Sequence, residues 1–134
     1  MNYAKTGKPL TDEMLVDLLA KRLAMNDCQK KGWILDGFPT NKNQCNLLNK
    51  HGLLPINVFT MKLTEIEIKK RVLAKNKNAS ISEYNYDMDV IDERLSKNRH
   101  NLHEVAVYFA TRYNNLKMLE GKVSKWGLFE SAKK

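Results

Sequence analysis

Residues 32–40 read Gly32-Trp33-Ile34-Leu35-Asp36-Gly37-Phe38-Pro39-Thr40. Trp33, Ile34 and Leu35 form a continuous apolar run of the kind a parallel sheet buries on both faces. Asp36 cannot continue it cheaply, because a buried carboxylate needs a partner. Gly37 and Pro39 then break the strand. The spacing therefore predicts a strand over Trp33–Asp36. In an open α/β sheet, ligands lie just past the carboxyl ends of the strands, where Asp36 to Thr40 would sit.

Upstream of this stretch, residues 1–10 read as extended or loop-like, with Gly7 and Pro9 as breakers. Thr11 is a helix N-cap candidate, and Asp12 and Glu13 suit the positive end of the helix dipole. Leu15, Leu18, Leu19 and Leu23 recur at helical spacing, which predicts a helix over 11–26. Downstream, Asn41 to Lys50 reads as a second helix with Cys45, Leu47 and Leu48 inward, ended by His51-Gly52. Ile56 to Leu63 reads as a second, mostly apolar strand. Thr64 and Glu67 have the spacing of a capping box and start a helix to about Lys75. Residues 76–86 are polar and read as a loop or short lid. A long helix is predicted over 87–120, with Gly121 as its stop. Lys122–Trp126 reads as a third strand and 128–134 as a frayed helix or tail. Strands alternating with helices predict an α/β fold with a parallel sheet and flanking helices in three layers.

The length of 134 residues bounds this to one domain, and a 43% hydrophobic fraction supplies a core. No signal peptide and no transmembrane run is found, so no membrane partner is expected. Cys28 and Cys45 read as reduced thiols, and the absence of a Cys-x-x-Cys spacing argues against zinc. The formal charge of +8 suits anionic partners, but the lysines are scattered. No basic motif interleaved with aromatics supports nucleic-acid binding.

The central stretch resembles the signature of the adenylate kinase (nucleoside monophosphate kinase) family, in which a strand ends in Asp-Gly-Phe-Pro-Arg. Gly7 to Glu13 is similar to the family's segment before its next helix. Gln44 stands past Thr40 as the family's glutamine stands past its arginine, and Arg71 and Lys75 follow at the family's spacing. The likeness is close over residues 7–75 and looser over 87–120, where Arg94-Leu95 and the Tyr108-Phe109 pair match. It implies a P-loop-kinase-like sheet and phosphoryl transfer from ATP to AMP or another nucleoside monophosphate, with Mg2+. The Walker pattern Gly-x-x-x-x-Gly-Lys-Ser/Thr does not occur in the chain. The fold is therefore expected in truncated form, 1–134 being a partial domain without its central P-loop strand. A gap of that kind leaves strand edges that invite self-association or the missing segment.

The resemblance also distributes roles. Asp36 helps hold Mg2+ through water, or else caps its own turn. Arg94 matches a catalytic lid-side arginine, whose companion position falls near Glu83 with the charge reversed. Lys8, Pro9, Leu10, Gly37 and Phe38 resemble the edge of the monophosphate site. Gln44 resembles the residue that reads the adenine edge, or else is an exposed residue on a polar helix face. Arg71 and Lys75 fall where the family flanks the ATP base and phosphates, or else are solvated cations. Arg99 is a candidate substitute for the arginine lost near Glu83. Thr40 replaces an arginine that would fork two hydrogen bonds to a phosphate. The isolated chain is thus expected to be inactive. A non-catalytic scaffold on a kinase-derived fold is the alternative, as in large multi-domain adenylate kinases and related proteins of cilia and flagella. The expected compartment is the reduced cytoplasm, with the cilium or flagellum added by that analogy.

Overall fold

A computed structural model describes residues 10–77 and 88–133. The chain divides into two compact units, Met1–Pro55 and Ile56–Lys134. Together they form an α/β chain with mostly helices and a small parallel sheet.

In the first unit, helix α1 spans Asp12–Leu23. The Thr11 hydroxyl accepts from the Met14 N–H at 3.4 Å, while Asp12 and Glu13 open the helix and Lys21 and Arg22 close it. Charges at both ends thus match the dipole. Val16 and Leu23 are buried, while Leu18 is exposed, so the inward face is rotated from the predicted leucine stripe toward Val16. A short helix α2, Asn26–Lys31, follows, over residues of which 27–31 had no predicted element. Gln29 Nε2 donates to the Leu23 carbonyl at 2.8 Å, giving the end of α1 one of its missing partners. Helix α3, Lys42–Lys50, is capped by Asn41, whose side-chain oxygen accepts from the Gln44 N–H at 2.8 Å. Cys45 and Leu48 are fully buried, and α3 packs on α1. Burial also pushes the Cys45 thiol up to about 11, the signature of a core residue.

The predicted strand over Trp33–Asp36 is not formed. Residues 32–35 carry no strand pairing, and Ile34 is 93% exposed. A parallel strand exists only as a member of a ladder, and none of the described residues supplies a neighbour for this run.

In the second unit, strand β1, Val58–Lys62, pairs in parallel with β2, Leu116–Glu120, in the register Val58↔Leu116 to Lys62↔Glu120. Val58 N donates to Asn115 O at 2.9 Å and Gly121 N to Lys62 O at 3.0 Å, extending the ladder at both ends. Between the strands run helix α4, Glu65–Lys77, and helix α5, Met88–Tyr113. Thr64 caps α4 by accepting from the Glu67 N–H at 3.4 Å, as its spacing predicts. Ile91, Val105, Tyr108, Phe109 and Leu119 form the core. The Tyr108 and Phe109 rings meet edge to face at 5.4 Å. Lys69–Asp92 (2.5 Å) and Arg99–Glu65 tie α4 to α5, which occupies Arg99 in an ion pair.

Two boundaries differ from the sequence reading. The long helix stops at Tyr113, not at 120, because Asn114 takes a positive φ of 48° and turns the chain. Asparagine tolerates that conformation better than most residues. Leu116–Glu120 is then a strand, whereas 122–126, predicted as one, holds a turn and the start of helix α6, Lys125–Lys133. Phe59 and Met61 of β1 are exposed, as befits a two-stranded sheet rather than a central buried strand. Gly121 sits tightly after β2: a Cβ there would meet Leu63 Cγ at 2.7 Å. The predicted loop over 76–86 lies outside the described residues, apart from 76–77, which close α4.

Candidate functional site

The end of the apolar run and the start of α3 form a polar cluster in the first unit. Asp36 is exposed in a bend, and Gly37 follows with φ 73°, a conformation that glycine adopts without strain. Phe38 and Pro39 are half-buried, and Thr40 is exposed. Leu10 is also exposed, while Lys8 and Pro9 lie outside the described residues.

Gln44 is the organising residue. It is 4% exposed, so the reading of an exposed residue on a polar helix face does not hold. Its Oε1 accepts from the Thr40 N–H at 2.7 Å and from the Thr40 hydroxyl at 3.0 Å. Its Nε2 donates to Asp12 Oδ1 at 2.7 Å. The other oxygen of Asp12 accepts from Asn43 Nδ2 at 2.8 Å and Asn41 Nδ2 at 3.3 Å. Hydrogen bonds from Asn43 and Gln44 hold the Asp12 carboxyl below its ordinary value, with desolvation opposing and Asn41 adding to them. The Gln44 side-chain oxygen is therefore saturated from within, and one of its two amide hydrogens is taken.

Sequence reasoning did not find Asp12 and Asn43 as members of this cluster. Asp12 satisfied a local explanation, the helix dipole. Its second role depends on α3 coming alongside α1, which no local pattern encodes. Asn41, read as the first residue of its helix, is instead the cap before it.

Beside this cluster, α1, α2 and residues 32–35 enclose a cleft of about 390 Å3 lined by Leu19, Leu23, Trp33 and Leu35, among others. Its Arg22 is closed on Asp27 by two bonds of 2.7 and 3.1 Å. That pair is half exposed, so it adds little to stability.

The remaining candidates belong to the second unit. Arg71 donates from Nε to Glu67 Oε1 at 3.2 Å and from a terminal nitrogen to the Gly121 carbonyl at 2.8 Å. It thereby fastens α4 to the turn after β2. Its side chain stays 50% exposed. Lys75 lies in the last turns of α4, four residues on. Arg94 is exposed on α5 and makes no ion pair among the described residues. Glu83 lies outside the described residues.

Chemically, Asp36 is an exposed carboxylate of the first unit placed at a glycine turn. Mg2+ takes one or two carboxylates and completes its shell with water and phosphate oxygens. Asp36 fits that limited role, beside an ion carried by a nucleotide. No group of three His, Cys, Asp or Glu side chains able to hold a metal occurs among the described residues.

No family model matches the chain. Curated proteins do. The chain is 25% identical to mouse adenylate kinase 9 over 130 residues, 96% of this chain but 7% of that protein. It is 32% identical to human adenylate kinase 8 over 93 residues, 69% of this chain and 19% of the relative. With the adenylate kinase of Desulfosudis oleivorans it shares 37% identity over 75 residues, 56% of this chain and 32% of the relative. The chain thus spans only a minor part of each of these proteins.

Proposed function

Since this chain is a divergent member of the adenylate kinase family, we propose that it is a degenerate part of a phosphoryl-transfer module whose parent moves a phosphoryl group from ATP to a nucleoside monophosphate such as AMP. Adenylate kinases use Mg2+ with ATP, and Asp36 is the residue we assign to that ion. The chain by itself does not catalyse the reaction. In this reading it is the frame of a three-layer P-loop-kinase-like fold, completed by a segment or partner that supplies the central strand and phosphate loop. Its compartment is the reduced cytoplasm, the cilium or flagellum included.

The observation that carries this reading is the Thr40–Gln44–Asp12 cluster. Where the family pattern has an arginine, Thr40 is neutral, and its hydroxyl and N–H both turn inward onto Gln44. A lost bidentate contact between arginine and phosphate costs a few kcal/mol, about a hundredfold or more in binding. Preorganised charge is commonly the largest catalytic contribution, and this chain lacks the P-loop lysine and amides as well. Residual nucleotide contact would fall to Lys8, Arg71, Lys75 and Arg94.

A second reading, a non-catalytic scaffold, is favoured by the neutral Thr40, turned onto Gln44, and by the absent Walker pattern. The run at Trp33–Leu35, outside any ladder and with Ile34 exposed, adds a site for self-association, read by sedimentation against concentration.

A coupled assay for ADP on the purified chain, with Asp36→Ala as control, tests the proposal. The expected rate is that of the control. Turnover that disappears in Asp36→Ala would overturn both readings.

A further inference from the structure

Helix α6 is apolar on two sides, and only one of them is used. Leu128 and Ala132, one turn apart, lie on its half-buried side, and the helix packs on β2. Trp126 and Phe129 point outward, 70% and 51% exposed, and Val123 before them is 45% exposed. A short helix with apolar groups on both sides has a second apolar environment to fill. The two exposed rings are not independent. Their centroids lie 5.6 Å apart, and the Lys133 ammonium sits 4.4 Å from the Phe129 ring. Lys122 and Lys125 are exposed on either side of Val123. Ser124 fixes the start of the helix by accepting from the Gly127 N–H at 3.1 Å.

We propose that this face of α6 docks onto an anionic lipid surface, with Trp126 and Phe129 entering the headgroup layer and Lys122, Lys125 and Lys133 meeting acidic headgroups. Charge complementarity is the first argument: the chain carries +8, Lys133 sits over the Phe129 ring, and Lys122 and Lys125 are exposed in the turn and helix start that lead to Trp126. Glu130 is the one acid within α6, and Lys133 pairs with it at 3.2 Å. Shape is the second. The two rings stand exposed side by side on α6, 5.6 Å apart, which suits a deformable layer better than a peptide needing a cradle. Trp and Phe beside lysines are also the composition of helices that lie in the interface plane. No helix among the described residues is long and apolar enough to cross a membrane, so this is surface binding. The sequence reading expected no membrane partner, from the lack of a spanning run and the scatter of the lysines.

The test is binding of the whole chain to vesicles of phosphatidylcholine alone or with phosphatidylserine. Trp33→Phe makes Trp126 the sole tryptophan, and far-UV circular dichroism checks that each variant keeps its helices. The expected result is a blue shift of Trp126 emission and co-sedimentation with phosphatidylserine vesicles only, weakened by salt. Trp126→Ala should weaken binding about tenfold, and Lys122→Glu with Lys125→Glu by about fivefold or more per lysine. Failure to bind either vesicle would overturn the proposal. So would binding that neither variant changes, or an emission shift with poly-glutamate and none with vesicles, which would assign the face to an acidic protein partner.

Discussion

Gln44 and Arg71 are two polar side chains at nucleotide positions of the family pattern, and the fold treats them differently. Gln44 is buried, with its oxygen filled by Thr40 and its nitrogen bonded to Asp12. Arg71 is half exposed, with two of its five donor hydrogens engaged by Glu67 and Gly121. Burial turns the first into a structural residue, because pulling the amide away would leave a carboxylate and a backbone N–H short of partners. Exposure leaves the second free to exchange its partners for a phosphate at little cost.

Replacing Gln44 should therefore have the largest effect. Gln44→Leu keeps the volume but strips Asp12 and Thr40 of a partner, and we expect about 2–3 kcal/mol lost in urea unfolding. A neutral result would make Gln44 as dispensable as an exposed residue and erase the contrast with Arg71.

Asp12→Asn comes next, at about 1–2 kcal/mol near neutral pH. The carboxyl is held below its ordinary 3.8 in the folded chain. A depressed carboxylate contributes stability that is fully present above the unfolded value and lost as pH falls through the folded one. The wild-type urea midpoint should thus drop below about pH 4 by more than that of Asp12→Asn. Parallel curves for the two proteins would show that the Asp12 bonds are not formed in solution.

Arg71→Ala should cost less than about 1 kcal/mol, since the guanidinium is half solvated. A loss equal to that of Gln44→Leu would place both residues in the same structural class. Smallest of all is Ile34→Thr, expected within about 0.5 kcal/mol because the side chain is almost fully exposed. A cost of several kcal/mol would mean that the run is paired and buried, as its composition alone suggests.

What could be read from the chain divides along the same line, between local and non-local causes. Thr11 and Thr64 announce their helices because a cap is decided within four residues, and the structure places both as caps, as it does Asn41, which the sequence reading put inside its helix. Ile56–Leu63 contains a strand because Leu116–Glu120 is there to pair with it. Trp33–Leu35 has a similar composition and no partner, and hydrophobic character without a ladder does not make a strand. The end of α5 was missed because leucines at 116 and 119 continue the helical period past Asn114, where the backbone turns. Gln44 was identified as a site position by its spacing from Thr40, yet its burial depends on Asp12, more than thirty residues away.

The most direct measurement is an NMR titration of the isotopically labelled chain with AMP and then with ATP and Mg2+, following the Gln44 side-chain amide and the Arg71 Nε–H. Protein groups hold the first and leave the second exchangeable. The predicted result is a Gln44 amide that does not shift with either nucleotide, beside an Arg71 signal that moves with ATP. A Gln44 amide that shifts on adding AMP, with Thr40 following it, would contradict the account, because the cluster would then be opening to read a base.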